Sequence, residues 1–305
     1  MPHKMRPAAS FEKLRGRVER LFTSPRRQNS KSTQLSLSLF DEQKAPKTRA
    51  LPPKDIANFI DSILYTMKFG DIYLFGGILR DLALMGRRGF SSDIDLVIDG
   101  DWESCEIKLI SLKAHKNKFG GYRLEISGWP IDIWDAKKTW AISEGLVTYD
   151  GISSLVNTTV LNWDAILMNW RTQEFICNDE YLSELKNRIM NIVLKNNPNP
   201  LGMAVRVFRH LCSKDARSIT STVVEYLADS TSKYALEELK ESELLSYGNS
   251  LIEPAIYSFF EKIKTHEKLE IHKRFQQASR ELKSQGTTLT FKQLELDLKI
   301  NNNTI

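Results

Sequence analysis

Two short stretches decide the fold: GGILRD at residues 76–81 and SDIDLV at residues 92–97. The apolar run IYLF at residues 72–75 predicts a strand, and the two glycines after it predict a turn. Residues 78–85 have apolar positions at helical spacing, and residues 93–98 alternate as a strand does. This part of the chain is therefore predicted to fold as strand, glycine turn, helix and strand.

Three carboxylates are predicted to meet on one face of a sheet. Asp93 and Asp95 lie two residues apart in a predicted strand, so their side chains project from the same face. Residues 122–127 and 130–134 predict a hairpin around Gly128 and Trp129, and its second strand carries Asp132. Because Mg²⁺ takes hard oxygen ligands, Asp93, Asp95 and Asp132 are candidate catalytic and metal-binding residues.

The glycine pair supplies the other half of the predicted site. Gly76 and Gly77 leave room for a triphosphate to approach backbone amides, and the start of a helix favours its negative charge. Arg80 lies one helical turn further on, where it can pair with a phosphate or brace the carboxylates. Asp81 can contact the sugar or anchor the turn. A nucleoside triphosphate is the predicted substrate, and two Mg²⁺ ions are the predicted cofactors of nucleotidyl transfer.

Residues 76–81, 84–87 and 92–97 together resemble the head motif of bacterial poly(A) polymerases and CCA-adding enzymes, in the polymerase-beta nucleotidyltransferase superfamily. The resemblance implies that Asp93 and Asp95 bind the metals, that Asp132 completes the site and that no template strand is used. It also implies an α+β fold, in which a small mixed sheet forms the head and an all-helical neck and body follow it.

The residues that would select the base differ from the family pattern. Residues 162–167 occupy the place of a motif that normally carries Arg-Arg-Asp-Phe, which is missing here. In the neck helix, residues 202–204 stand where the family has acids, while Arg206 and Arg209 remain as candidate nucleotide contacts. Arginine donates hydrogen bonds and accepts none, so this helix cannot present the same pattern to a base.

Charge is distributed unevenly along the 305 residues. The chain has a net charge of +5, and residues 1–55 hold 13 Lys or Arg against 5 Asp or Glu. We expect residues 1–54 to be a basic, loosely ordered arm that binds phosphate backbones or is only a solvated tail. Near its start, an apolar stripe at helical spacing predicts one face of a short helix, formed by Phe11, Leu14, Val18, Leu21 and Phe22. Within the same arm, a peptide running from Gln34 to Phe40 alternates every two residues. It resembles a sliding-clamp-binding peptide, or it is an edge strand of this protein's own head.

Composition excludes several classes of protein. Three cysteines without paired spacing make disulfides and structural zinc improbable, and no apolar run is long enough for a membrane span. We therefore expect a cytoplasmic protein that does not bind membranes. The predicted domains are the arm at 1–54, the head at 55–160, and a helical neck and body at 161–305. The helices predicted in this last part lie at 161–170, 180–195, 201–212, 221–228, 234–245, 251–263 and 265–284.

Three functions remain open from the sequence. The first is a template-independent enzyme that adds nucleotides from NTP or dNTP to the 3′ hydroxyl of an RNA or a DNA oligomer. The second is a specialised phage-defence or toxin enzyme that makes a signalling oligonucleotide or nucleotidylates a protein. The third is a non-catalytic module that binds a nucleotide or a clamp-like partner.

Overall fold

The computed structural model describes residues 6–23, 54–87, 90, 92–213 and 216–284. The strands are β1 (Gly70–Phe75), β2 (Ile94–Gly100), β3 (His115–Lys116), β4 (Tyr122–Ile126), β5 (Trp129–Asp135), β6 (Ile166–Asn169), β7 (Phe175–Cys177), β8 (Ile189–Met190) and β9 (Ser218–Ile219). The helices are α1 (Phe11–Thr23), α2 (Lys54–Thr66), α3 (Gly77–Leu84), α4 (Trp102–Ser111), α5 (Trp140–Ser143), α6 (Tyr181–Asn187), α7 (Pro200–Ser213), α8 (Ser221–Lys233), α9 (Leu236–Tyr247), α10 (Pro254–Thr265) and α11 (Ile271–Ser284).

A seven-stranded mixed sheet forms the head within the described residues, in the order β3-β4-β5-β2-β1-β6-β7. Strands β2 and β5 are parallel, and the other neighbours in this sheet are antiparallel. Helices α7 to α11 follow the sheet in the chain. The predicted α+β class is confirmed.

The segment from β1 to β2 has the predicted strand, glycine turn, helix and strand. The predicted hairpin is also present, but its turn consists of Ser127 and Gly128, with φ values of 51° and 81°, and not of Gly128 and Trp129. Trp129 is buried and pairs with Ile126 as the first residue of β5. Positive φ at both central residues is typical of a type I′ turn, whose twist suits a two-residue hairpin. The turn fixes the register of β4 on β5, and this register places the side chains of the site.

Helix α1 belongs to the core of the head, which corrects the prediction of a loosely ordered arm for the described part of residues 1–54. Its apolar stripe of Leu14, Val18, Leu21 and Phe22 is buried, and α1 packs against α2 and α3. A helix with one apolar stripe is stabilised mainly by packing that stripe on other elements. Residues 24–53 lie outside the described residues, and so does the peptide from Gln34 to Phe40.

The predicted helix at 161–170 is wrong, and the head sheet continues beyond residue 160. Residues 162–164 form a 3-10 turn, and the next residues form β6, whose four side chains are all buried. A continuous apolar run has neither strand nor helix periodicity, so its buried position in the sheet decides its structure. Strand β7 then completes the sheet at Cys177.

The later helical stretches differ from the prediction mainly in their bounds. The helix predicted at 180–195 is limited to α6, because Arg188 adopts a left-handed conformation with φ of 56° and β8 follows. The last predicted helix, at 265–284, begins only at Ile271. No helix in the described ranges has the length and apolar character needed to span a bilayer.

Candidate active site

One row of side chains crosses the head sheet through the predicted carboxylates. Register pairs His115 with Arg123, Arg123 with Asp132, Asp132 with Asp95, and Asp95 with Phe75. Residues directly opposite each other on neighbouring strands project from the same face. The structure therefore brings Asp95 and Asp132 side by side on parallel strands, as the sequence predicts.

Asp93 lies just before β2 and joins this row through Arg123. The guanidinium of Arg123 donates a hydrogen bond of 2.8 Å to Asp93 Oδ2 and one of 3.1 Å to Asp132 Oδ2. The sequence motifs do not point to Arg123, because the predicted turn at Gly128 and Trp129 would place Glu125 opposite Asp132. The observed turn at Ser127 and Gly128 places Arg123 there instead. A cation thus lies between two of the three carboxylates.

The carboxylates carry more negative charge than Arg123 balances. Burial, followed by the charges of Asp132 and Asp93, raises the pKa of Asp95 to about 7, while Arg206 opposes the shift. Burial also raises the pKa of Asp132, against the effect of Arg123. A carboxylate is disfavoured in its charged form when it is buried beside like charges. The row is therefore a place where a further cation would be stabilised.

The three aspartates have the right chemistry for Mg²⁺, although their present geometry is not that of an assembled metal site. Within the described part of the chain, no group of three or more His, Cys, Asp and Glu residues is arranged to hold a metal ion. Arg123 bonds two of the carboxylates instead. Their oxygens are nevertheless the hard ligands that Mg²⁺ prefers. By its ligand chemistry, the donor set therefore fits Mg²⁺.

The predicted glycine turn lies directly beside this row. Gly76 follows Phe75, has φ of 62°, and donates its N–H to the carbonyl of Ile166 on β6 at 3.0 Å. Helix α3 begins at Gly77, where an added Cβ would lie only 3.1 Å from the Ser92 hydroxyl. The backbone conformation therefore favours glycine at 76, and close approach favours it at 77.

Arg80 and Asp81 are locked in a buried network behind the turn. Arg80 forms ion pairs with Asp81 and Asp164, and it donates a hydrogen bond of 3.1 Å to the Ser92 hydroxyl. Ser92 in turn donates to Asp81 at 2.6 Å. Arg80 therefore pairs with Asp81 and Asp164 and not with the three carboxylates of the row, whereas Asp81 anchors the turn, one of the two roles that the sequence allowed. Sequence analysis missed Ser92 and Asp164 as their partners.

The charges in this network stabilise the ionised forms of Arg80 and Asp164. Burial lowers the pKa of Arg80, but the charges of Asp164 and Asp81 outweigh that effect and hold it above its ordinary value. Burial raises the pKa of Asp164, whereas Arg80, then His210 and Arg206, hold it below the usual range. The network is internally compensated, which is the usual condition for ions in a protein interior.

The two arginines of α7 have different environments. Arg206 is exposed, and its charge acts on both Asp95 and Asp164. Arg209 is bound to Glu243 at 2.6 Å and to the side chain of Asn249 at 2.8 Å. The predicted nucleotide contact at Arg209 is therefore replaced by an ion pair that fastens α7 to α9. Arg206 remains beside the site.

An aromatic pair borders the carboxylates on the same face. Phe75 is the register partner of Asp95, and Trp134 follows Asp132 by two residues. Their ring centroids are 6.0 Å apart in an edge arrangement, and both side chains are half-buried. The sequence alone does not distinguish which of the six tryptophans lies at the site. The strand register singles out Trp134.

Comparison with known proteins gives structural neighbours only. No family model matches the chain, and no curated protein matches it. The chain is similar to a CCA-adding enzyme in complex with ATP (TM-score 0.47, 18% identity, covering 69% of this chain and 52% of that one). It is also similar to the Thermotoga maritima CCA-adding enzyme complexed with tRNA (0.46, 16%, 68% and 56%). A third neighbour is a CCA-adding enzyme with CTP (0.44, 17%, 68% and 57%).

All three neighbours are CCA-adding enzymes. This chain spans little more than half the length of each of them. Identities below 20% leave the geometry of the site as the basis for assigning a function.

Proposed function

We propose that this protein is a Mg²⁺-dependent, template-independent nucleotidyltransferase that uses a nucleoside triphosphate as donor. The acceptor is a hydroxyl, in the first place the 3′ end of an RNA or a DNA oligomer. One observation carries the proposal: Asp95 and Asp132 are register partners, Asp93 is linked to Asp132 through Arg123, and the Gly76-Gly77 turn follows Phe75, the register partner of Asp95.

The glycine turn supplies the donor site for the phosphates. The first N–H groups of α3 have no partner within the helix, and they carry the positive end of its dipole. Arg80 does not reach out to the phosphates in this arrangement, because its guanidinium is bound by Asp81, Asp164 and Ser92. Its role is to stabilise the conformation of the turn through these buried contacts.

Asp93, Asp95 and Asp132 would hold the Mg²⁺ ions. In such a site, two ions activate the attacking hydroxyl and neutralise charge on the leaving pyrophosphate. The carboxylates fix the positions, since two of them are on adjacent strands of a rigid sheet. Phe75 and Trp134 border the same face and offer an apolar edge to the base or the ribose of a nucleotide.

The charge beside the site favours a polyanionic acceptor without a fixed base preference. Basic side chains gain affinity for phosphate backbones by releasing counterions, whatever the sequence. Arg206 is the described α7 cation whose charge acts on the site, and it can only donate to a base or a phosphate.

The proposal is tested by incubating the full-length protein with each labelled NTP and dNTP and Mg²⁺. The acceptors are a short RNA, a tRNA transcript and a DNA oligomer, together with a reaction that contains no acceptor. Asp95→Asn is expected to reduce incorporation by about 10²- to 10³-fold, because it removes a carboxylate that holds the ions. Asp71→Asn is the matched control, since Asp71 lies on β1 in an exposed ion pair with Arg171.

Incorporation by the wild type and by Asp71→Asn, together with its loss in Asp95→Asn, supports the assignment. The proposal fails if no pairing of donor and acceptor gives a product, or if Asp95→Asn is as active as the wild type.

A further inference from the structure

We infer that Arg123 is a built-in competitor for the metal: its guanidinium occupies the carboxylates in the resting protein and must swing away when a divalent cation binds. The inference rests on the proposed function, since it concerns the same three aspartates. It assigns Arg123 a regulatory part, in which metal binding at this site is opposed by the chain's own positive charge.

The competition follows from which atoms Arg123 contacts. One nitrogen lies 2.8 Å from Asp93 Oδ2 and another lies 3.1 Å from Asp132 Oδ2, so a single planar group bridges both carboxylates. Mg²⁺ binds oxygen at about 2.0–2.1 Å and requires near-octahedral geometry. An ion shared by Asp93 and Asp132 would need the space between them that the guanidinium now fills. The two cations therefore exclude one another.

Arg123 is also free to leave. Half of its side chain is exposed, and the part of the sheet outside β4 is the two-residue strand β3. Arg80 provides the contrast, because its side chain is 9% exposed and is bound by Asp81, Asp164 and Ser92 together. Of these two arginines beside aspartates, only Arg123 can move into solvent without leaving a charge in the protein interior.

Displacement leaves a positive charge next to the donor site. The displaced guanidinium would lie between the bound cations and the triphosphate. There it could donate hydrogen bonds to phosphate oxygens in place of the carboxylates. When the metal binds without a triphosphate, Arg123 loses its carboxylate partners and gains no other anion. Metal with a triphosphate gives the guanidinium a new anion, so the two ligands are expected to bind with positive coupling.

Direct titration of the protein with Mn²⁺ alone, by calorimetry at pH 8, tests the inference. Arg123→Gln removes the competitor and keeps a polar side chain, so it is expected to bind Mn²⁺ about three- to tenfold more tightly than wild type. That factor is what two exposed ion pairs are worth. Arg171→Gln is the matched control, because it removes an arginine from an exposed ion pair with Asp71 on the same sheet. It is expected to leave Mn²⁺ affinity unchanged.

The sign of the change separates the inference from a structural role. If Arg123 only holds Asp93 and Asp132 in position, Arg123→Gln weakens Mn²⁺ binding or leaves it equal, and the inference is overturned while the proposed function stands. Arg123→Lys, which cannot bridge both carboxylates with one ammonium group, is expected to fall between wild type and Arg123→Gln. If neither the wild type nor Arg123→Gln binds Mn²⁺, the inference is overturned, and the incorporation assay decides the proposed function separately. Circular dichroism of each variant checks its folding.

Discussion

Two groups of aspartate and arginine lie on either side of the glycine turn, and they differ in burial and in charge balance. Behind the turn, Arg80 is bound by Asp81, Asp164 and Ser92, and its side chain is 9% exposed. In front of it, Arg123 links Asp93 and Asp132 beside Asp95, with half of its side chain exposed. The charges of the first group are balanced and hydrogen-bonded within the protein, whereas the second group has more negative charge than Arg123 neutralises.

The comparison shows that residue types alone do not distinguish a scaffold from a binding site. Both groups contain acids from sequence motifs that surround the same turn. Buried ions persist only when they are paired and hydrogen-bonded, so the rear group is expected to contribute to stability. Like charges at a partly exposed site cost stability and attract a ligand cation, so the front group is expected to contribute to function.

The largest contrast is expected from removing one acid from each group. Asp164→Ala leaves Arg80 buried beside Asp81 alone and is predicted to lower the free energy of unfolding by about 3–5 kcal/mol. Asp132→Ala relieves the charge repulsion on Asp95 and is predicted to change the free energy of unfolding by less than about 1 kcal/mol. Urea unfolding of both variants measures the difference. Equal losses would remove the distinction between the two groups.

A smaller contrast is expected between the two arginines of α7. Arg209→Gln withdraws a partner from Glu243, which is fully buried, and is predicted to cost about 1–3 kcal/mol of stability. Arg206→Gln is predicted to leave stability unchanged and to raise the KM for the nucleotide by about tenfold, through loss of a charged donor. Steady-state kinetics and thermal unfolding of both variants separate these roles. A raised KM in Arg209→Gln without a stability loss would restore Arg209 as a nucleotide contact.

The smallest expected effect is on the pH dependence of stability in the absence of divalent ions. The folded-state pKa of Asp95, about 7, lies above the ordinary value of 3.8. Folding therefore takes up a proton between these values, and the stabilisation is complete at low pH and lost as pH rises through 7. Asp95→Asn is neutral throughout, so its Tm should exceed that of wild type by a few degrees at pH 8 and match it near pH 4. Parallel profiles would contradict the raised pKa.

Local sequence predicted the parts of the site that depend on one segment. The alternation around Asp93 and Asp95 and the glycine turn were sufficient, because strand faces and turn conformation are set within a few residues. Asp132 was also found, since a hairpin is a local unit. Its position beside Asp95 was also expected, and the structure adds that the two strands are parallel neighbours.

The parts that sequence did not predict depend on distant partners. Arg123 became relevant only through its register with Asp132 on the next strand. Asp164 was noted in its motif, but its contact with Arg80 spans 84 positions of the chain. The apolar stripe of α1 was recognised as a helix face, whereas its packing partners α2 and α3 follow a long intervening segment. In each case the missing information was tertiary packing, which overrides local preference.

The pairing of strand β6 determines where a fragment of the head can end. It pairs with β1 next to the glycine turn, and the carbonyl of Ile166 accepts the N–H of Gly76. A fragment that ends near residue 160 would leave one edge of β1 with a row of open backbone donors and acceptors. Open edges of apolar strands pair with other chains and lead to aggregation. The smallest piece of the head that keeps β1 paired on both sides therefore includes β6, and extending it to Cys177 leaves the short strand β7 as the edge of the sheet.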